Sequence, residues 1–146
     1  MSFFSSITDR GAGPALVATM AFSEAKLEVL AENVANGQTP GFRAKQLDAR
    51  AFQHALRDAL DERGGDYRKP LLVDNRREVR TDALGRMSFR PTEQPAENVL
   101  FHDGTNNSLE RQMADLAETG MTYEMSATFL RAKFDGLRKA IRGTSR

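Results

Sequence analysis

Two histidines and one cluster of acids are where any catalysis by this chain would have to begin. A histidine can move a proton near neutral pH or hold a metal. His54 falls in a helical stretch and His102 precedes Asp103-Gly104 in a turn, and neither belongs to a set with ligand spacing. Asp58, Asp61 and Glu62 could act as paired acids, but Arg57 and Arg63 flank them and they read as ordinary surface charge. There is no glycine-rich phosphate loop, nucleophile elbow or zinc-binding helix, and aromatics do not interleave with bases as on a nucleic-acid platform. The 146 residues contain no cysteine, which excludes disulfides, thiolate nucleophiles and thiolate metal sites. The expectation is a protein that is not an enzyme, with no catalytic, metal or cofactor residues and no small-molecule substrate.

What the chain does carry is periodicity. Leu109, Met113, Leu116, Gly120, Tyr123, Ala127, Leu130, Phe134, Leu137 and Ile141 follow a 4-3-4-3 spacing without a charge among them. Apolar positions every 3.5 residues keep one narrow stripe facing a partner helix. At ~1.5 Å per residue this predicts a rod of roughly 50 Å, spanning 107–142. Asn107 can cap it, with Glu110 three residues on. Its first half holds Glu110, Asp115, Glu118 and Glu124 against Arg111, and its second half Arg131, Lys133, Arg138, Lys139 and Arg142 against Asp135. That polarity complements the helix dipole.

The partner is expected at the other end of the chain. Leu16, Met20, Ser23, Leu27, Leu30 and Val34 repeat the same spacing over a helix at 14–36, with Pro14 in its first turn. Asn36-Gly37 tolerates a left-handed cap, and Pro40-Gly41 then prevents continuation. The predicted fold is mainly α: two long terminal helices forming a coiled-coil-like hairpin within one rod-type domain, 1–146. Between them, 37–105 supplies a turn, a third helix at 49–62 with Phe52, Leu56, Ala59 and Leu60 on one face, and an irregular stretch from 64. Gly64-Gly65 ends that helix. Short apolar pieces such as Leu71-Leu72-Val73 and Val99-Leu100-Phe101 allow a strand or two, and the stretch is expected to order only against a neighbour.

Composition limits the partners. A net charge of +1 gives no reason to expect nucleic acid or an anionic membrane. No apolar run approaches the ~20 residues that span a bilayer. Residues 1–10 lack the basic and long apolar parts of a cleavable secretory signal.

One segment is more specific: Leu30-Ala31-Glu32-Asn33-Val34-Ala35-Asn36-Gly37-Gln38-Thr39-Pro40-Gly41-Phe42. It resembles the signature near the N-terminus of the flagellar axial proteins, a helix ending in a double-asparagine turn followed by Thr-Pro-Gly-aromatic. Gln38 stands where a smaller or acidic residue is common. Asn33 and Asn36 are expected to satisfy loose carbonyls at the helix end, Gly37 to open the turn, and Phe42 to re-enter a packed surface, with a positive φ at Gly37, Gly41 or both. The runs Leu109–Glu118 and Lys133–Ile141, with Tyr123 between, are similar to the proximal rod members of that family. The resemblance covers about 16–49 and 106–142.

That resemblance implies a structural subunit of the bacterial flagellar basal body, in the periplasmic rod. Its implied partners are copies of itself, other flagellar rod proteins, and export-gate and rod-adaptor proteins at the membrane ring. It implies export through the flagellar type III channel without a cleaved signal. Packing between subunits would fall to the apolar positions of both stripes, Leu16 to Val34 and Leu109 to Ile141. The alternative from the residues alone is a cytoplasmic coiled-coil adaptor or secretion chaperone, which would have similar heptads but no need of the Thr-Pro-Gly turn.

Overall fold

The structure, a computed structural model, describes residues 12–66, 68–94 and 109–143. It is mainly helical. Helix α1 spans Gly13–Asn36, α2 Ala49–Arg63 and α3 Leu109–Arg142. Four short strands lie between them: β1 (Lys45–Gln46), β2 (Val79–Thr81), β3 (Met87–Phe89) and β4 (Thr92–Glu93). Asn107 lies outside the described residues, as do His102, residues 1–11 and Val99-Leu100-Phe101.

Each helix has a local reason for its bounds. Pro14 sits in the first turn of α1, where its missing N–H removes no intrahelical bond. Asp48 caps α2, its Oδ1 accepting from the N–H groups of Arg50 at 2.8 Å and Ala51 at 3.1 Å. Gly64 ends α2 in the left-handed conformation, φ 56°, and its N–H donates to the Leu60 carbonyl.

The core was expected between the long helices, and its larger part lies elsewhere. Ala18, Phe22 and Val29 of α1 close over Leu47, Phe52, Ala55 and Ala59, with Val73 and Val79 completely buried. The Phe22 ring stacks on Phe52 at a centroid distance of 4.1 Å and meets the edge of Phe89 at 6.0 Å. The expected face of α2 is therefore turned. Phe52, Ala55, Ala59 and Arg63 point inward, Leu56 is half-buried and Leu60 is exposed. Two alanines at the contact let the helix approach α1 more closely than a leucine stripe would.

The stretch after residue 64 was expected to be irregular, and its described part instead folds onto this core. Strands β2 and β3 form an antiparallel hairpin, Arg80 opposite Ser88, with Val79 and Phe89 paired on the inward face. Strands β1 and β4 pair likewise, Lys45 opposite Glu93. The buried Glu78 carboxylate joins the two units. Its Oε2 accepts from the Asp48 N–H at 2.8 Å and its Oε1 from the Thr92 hydroxyl at 2.7 Å.

Candidate assembly surface

Helix α1 is buried on two faces. Its Ala18–Phe22–Val29 side belongs to the core just described, and the helix also packs on α3, with Asn33 bonded to Gln112. Of the stripe expected to meet α3, Ser23 and Leu30 are buried, and Leu16, Met20, Leu27 and Val34 are half-buried.

The face that α3 turns inward is shifted by one residue from the expected stripe. Its buried residues are Gln112, Thr119 and Ser126, each just ahead of Met113, Gly120 and Ala127. Leu116, Tyr123, Leu130 and Leu137 are half-buried, as are Gly120 and Ala127. Met113, Phe134 and Ile141 of the same expected stripe are exposed, Ile141 at 76 %. For Leu109 only the backbone is described.

Small hydroxyl residues at the buried positions explain the shift. The Thr119 hydroxyl donates to the Asp115 carbonyl at 2.6 Å and the Ser126 hydroxyl to the Thr122 carbonyl at 2.8 Å. Each is thus satisfied within its own helix and can be buried without an outside partner. Gln112 is satisfied across the contact, its Oε1 accepting from Asn33 Nδ2 at 3.2 Å.

Asn33 does more than the end-of-helix role expected of it. Its Nδ2 donates to the Lys45 carbonyl at 2.7 Å, and its Oδ1 accepts the Lys45 N–H at 2.9 Å. One fully buried side chain therefore holds α1, β1 and α3 together. Asn36 does take the expected role, donating from Nδ2 to the Glu32 carbonyl at 2.9 Å.

The turn that follows has the expected positive φ at one of its two glycines. Gly37 is right-handed, φ −59°, so the helix does not end in a left-handed glycine cap. The positive φ falls at Gly41, 77°, the third residue of a Thr39-Pro40-Gly41-Phe42 turn closed by the Phe42 N–H donating to the Thr39 carbonyl at 3.1 Å. Proline second and a positive-φ glycine third is the type II pattern. Phe42 returns half-buried, two residues before the buried Ala44.

The sequence reading missed an outward row on α3. Met121, Met125 and Phe129 are 69 %, 61 % and 56 % exposed. At i, i+4 and i+8 they form one stripe on the side away from Thr119 and Ser126. Their spacing was visible, but the adjacent 4-3 stripe is longer and absorbed attention.

The acids of α2 and His54 are exposed at its surface, and among the described residues no three His, Cys, Asp or Glu side chains gather as metal ligands. An open groove at the end of α3 is walled by Asp135, Arg138, Lys139 and Arg142, all exposed. None of the described helices is long and apolar enough to cross a membrane.

What the geometry offers is a helix pair with apolar residues left facing outward. The chain is 28 % identical over 118 residues to the flagellar basal body rod protein FlgB of Aeromonas hydrophila, covering 81 % of this chain and 83 % of that one. The chain is similar to FlgB rod proteins over most of its length. Similarity extends to FlgB of Salmonella typhimurium, 25 % identical over 80 % of this chain and 82 % of that one, and of Bacillus subtilis, 23 % identical over 83 % and 85 %. No family model matches the chain. Each of these similar proteins is a flagellar basal body rod protein by name.

Proposed function

We propose that this protein is a structural subunit of the proximal rod in the bacterial flagellar basal body. It would form part of the periplasmic drive shaft by packing its long helices against neighbouring subunits. The single observation that carries the reading is the two-sided character of α3. One side meets α1, while Met113, Met121, Met125, Phe129 and Ile141 remain exposed. Such a length of apolar surface along one helix marks a contact with another chain. The similarity to FlgB supports a flagellar rod as the assembly that such a contact would serve.

The helix pair is read as an antiparallel, coiled-coil-like hairpin. Asn33 near the end of α1 meets Gln112 near the start of α3, and burial continues along α3 through Thr119 and Ser126. The partners are copies of the same chain, other rod proteins, and export-gate and adaptor proteins at the membrane ring. The protein reaches the periplasm through the flagellar export channel without a cleaved signal.

The test is genetic and biochemical. Deleting the gene should abolish swimming, and a tagged copy should restore it and co-purify with detergent-extracted basal bodies. A tagged copy that restores swimming yet is found solely in the cytosol favours the adaptor or chaperone reading instead.

A further inference from the structure

The pair of long helices carries opposite charge at its two ends. Glu28, Glu32, Glu110, Asp115 and Glu118 all lie within about two turns of the Asn33–Gln112 contact. All but the half-buried Asp115 are exposed. Lys45 pairs with Glu32 at 2.9 Å and Arg111 stands among the others, so acids prevail there. At the far end of α3, Arg131, Arg138, Lys139 and Arg142 are exposed, against the single acid Asp135. Arg138, Lys139 and Arg142 wall the open groove together with that acid.

The helix dipole accounts for α3, which is acidic where it starts and basic where it ends. It does not account for α1. Glu28 and Glu32 lie near the end of that helix, where the dipole disfavours acids, and its last turn has no base. Acids of both helices are thus gathered at one end against the preference of one of them. The two ends cannot relieve each other within one molecule. Gln112 and Arg138 stand ~39 Å apart along α3, whereas exposed charges are largely screened beyond ~8 Å at physiological ionic strength.

We infer that the basic end of α3 in one copy of the chain binds the acidic end of the helix pair in another copy. This rests on the rod reading and adds to it which surfaces of neighbouring subunits meet. The occupant is a second copy because each chain carries both halves of the contact, while a net charge of +1 shows that neither sign prevails over the whole molecule. The basic end is open to it: beyond Leu130 no described residue of α3 is buried. Arg138 and Arg142, one turn apart on one face, can take a carboxylate of the other copy between them.

Charge exchange in the purified full-length chain tests it, with association read by sedimentation velocity. The wild-type chain should associate at low salt and do so ~10-fold more weakly at high salt, the reverse of an apolar contact. One variant reverses the bases (Arg131→Glu, Lys139→Glu, Arg142→Glu) and another the acids (Glu28→Lys, Glu110→Lys, Glu118→Lys). Each alone should lose the association, and mixing the two should restore it, because the acidic end of the first still matches the basic end of the second. Restoration also shows that both are folded. Where base reversal lowers the helix content by circular dichroism, the neutral variant Arg131→Gln, Lys139→Gln, Arg142→Gln replaces it and should associate more weakly than wild type. A wild-type chain that stays monomeric, a neutral variant that associates like wild type, or a mixture of folded variants that stays apart overturns the proposal. Association lost on base reversal but kept on acid reversal overturns it too, since the basic end then binds some other anion. Each of these leaves the rod reading standing; that reading falls if the tagged chain is absent from basal bodies.

Discussion

Asn33 and Gln112 lie 79 residues apart in sequence and share a 3.2 Å hydrogen bond inside the protein. The same asparagine grips the backbone of Lys45 with both its donor and its acceptor. Replacing Asn33 by Leu leaves the Lys45 N–H and carbonyl and the Gln112 amide without that partner. The expected loss is about 1–3 kcal/mol, read from the urea midpoint of the purified protein. Asn33→Asp should also destabilise, because a carboxylate would face the Lys45 and Gln112 oxygens it now donates to.

Phe22 and Phe52 make the main aromatic contact between α1 and the middle of the chain. Phe52→Ala should lower stability by about 3–5 kcal/mol, the range for a buried aromatic truncated to alanine. Phe129→Ala, at an exposed position, should leave monomer stability within about 0.5 kcal/mol of wild type while impairing rod assembly. Equal melting losses for the two would remove the distinction between core and assembly surface.

The two glycines of the turn should respond differently. Gly41 has φ 77° with no atom near an added Cβ, so Gly41→Val should cost about 1–2 kcal/mol through the backbone alone. Gly37 is already right-handed, and Gly37→Ala should be nearly neutral in thermal melting.

Asp82 gives the hairpin a dependence on acid. Its carboxyl is held below the usual carboxylate range, first by the Arg86 backbone N–H and then by the Arg86 side chain. Its Oδ1 accepts the Arg86 N–H at 2.8 Å and the Leu84 N–H at 2.9 Å. A carboxylate with a lowered folded value stabilises fully above its unfolded value and loses that contribution as pH falls through the folded one. The Leu84 and Arg86 amide resonances should therefore move together in acid, below the range of an unfolded aspartate. In Asp82→Asn that step should be absent.

Hydrogen exchange on the dilute protein should rank the elements. Protection should be greatest at Phe22, Phe52 and Val79 and least in α3 beyond Leu137, where every described residue is exposed. In assembled rods the end of α3 should gain protection. Strong protection beyond Leu137 in the monomer would show that this helix end has no need of a neighbour.

The long helices were legible because their cues repeat or stand in order. The 4-3 spacing runs through both, and the Pro-Gly pair fixes where α1 must stop. The exit turn was legible in composition but not in detail: Gly37 and Gly41 both permit a positive φ, and only the closure of the Phe42 N–H onto Thr39 decides between them. The inward face of α3 was missed by one residue because hydrophobicity was the guide. Thr119 and Ser126 are buried through hydroxyl bonds to their own helix, which spacing of apolar residues does not register. The middle was least legible. Its strands are two or three residues long, too short to show alternation, and its core is drawn from Phe22, Phe52, Val73 and Val79, far apart along the chain.

The double burial of α1 has a mechanical meaning. A cylinder seated along one line can roll in its groove, but one gripped along two separate lines cannot. Phe22 and Val29 lock α1 to the middle unit, and Asn33 ties it to Gln112 of α3. Helix α1 is thus keyed like a shaft in its hub: a twist applied to α3 passes to the hairpin side without slipping. In the proposed drive shaft, torque would then be shared between the long helices and whatever the middle unit touches.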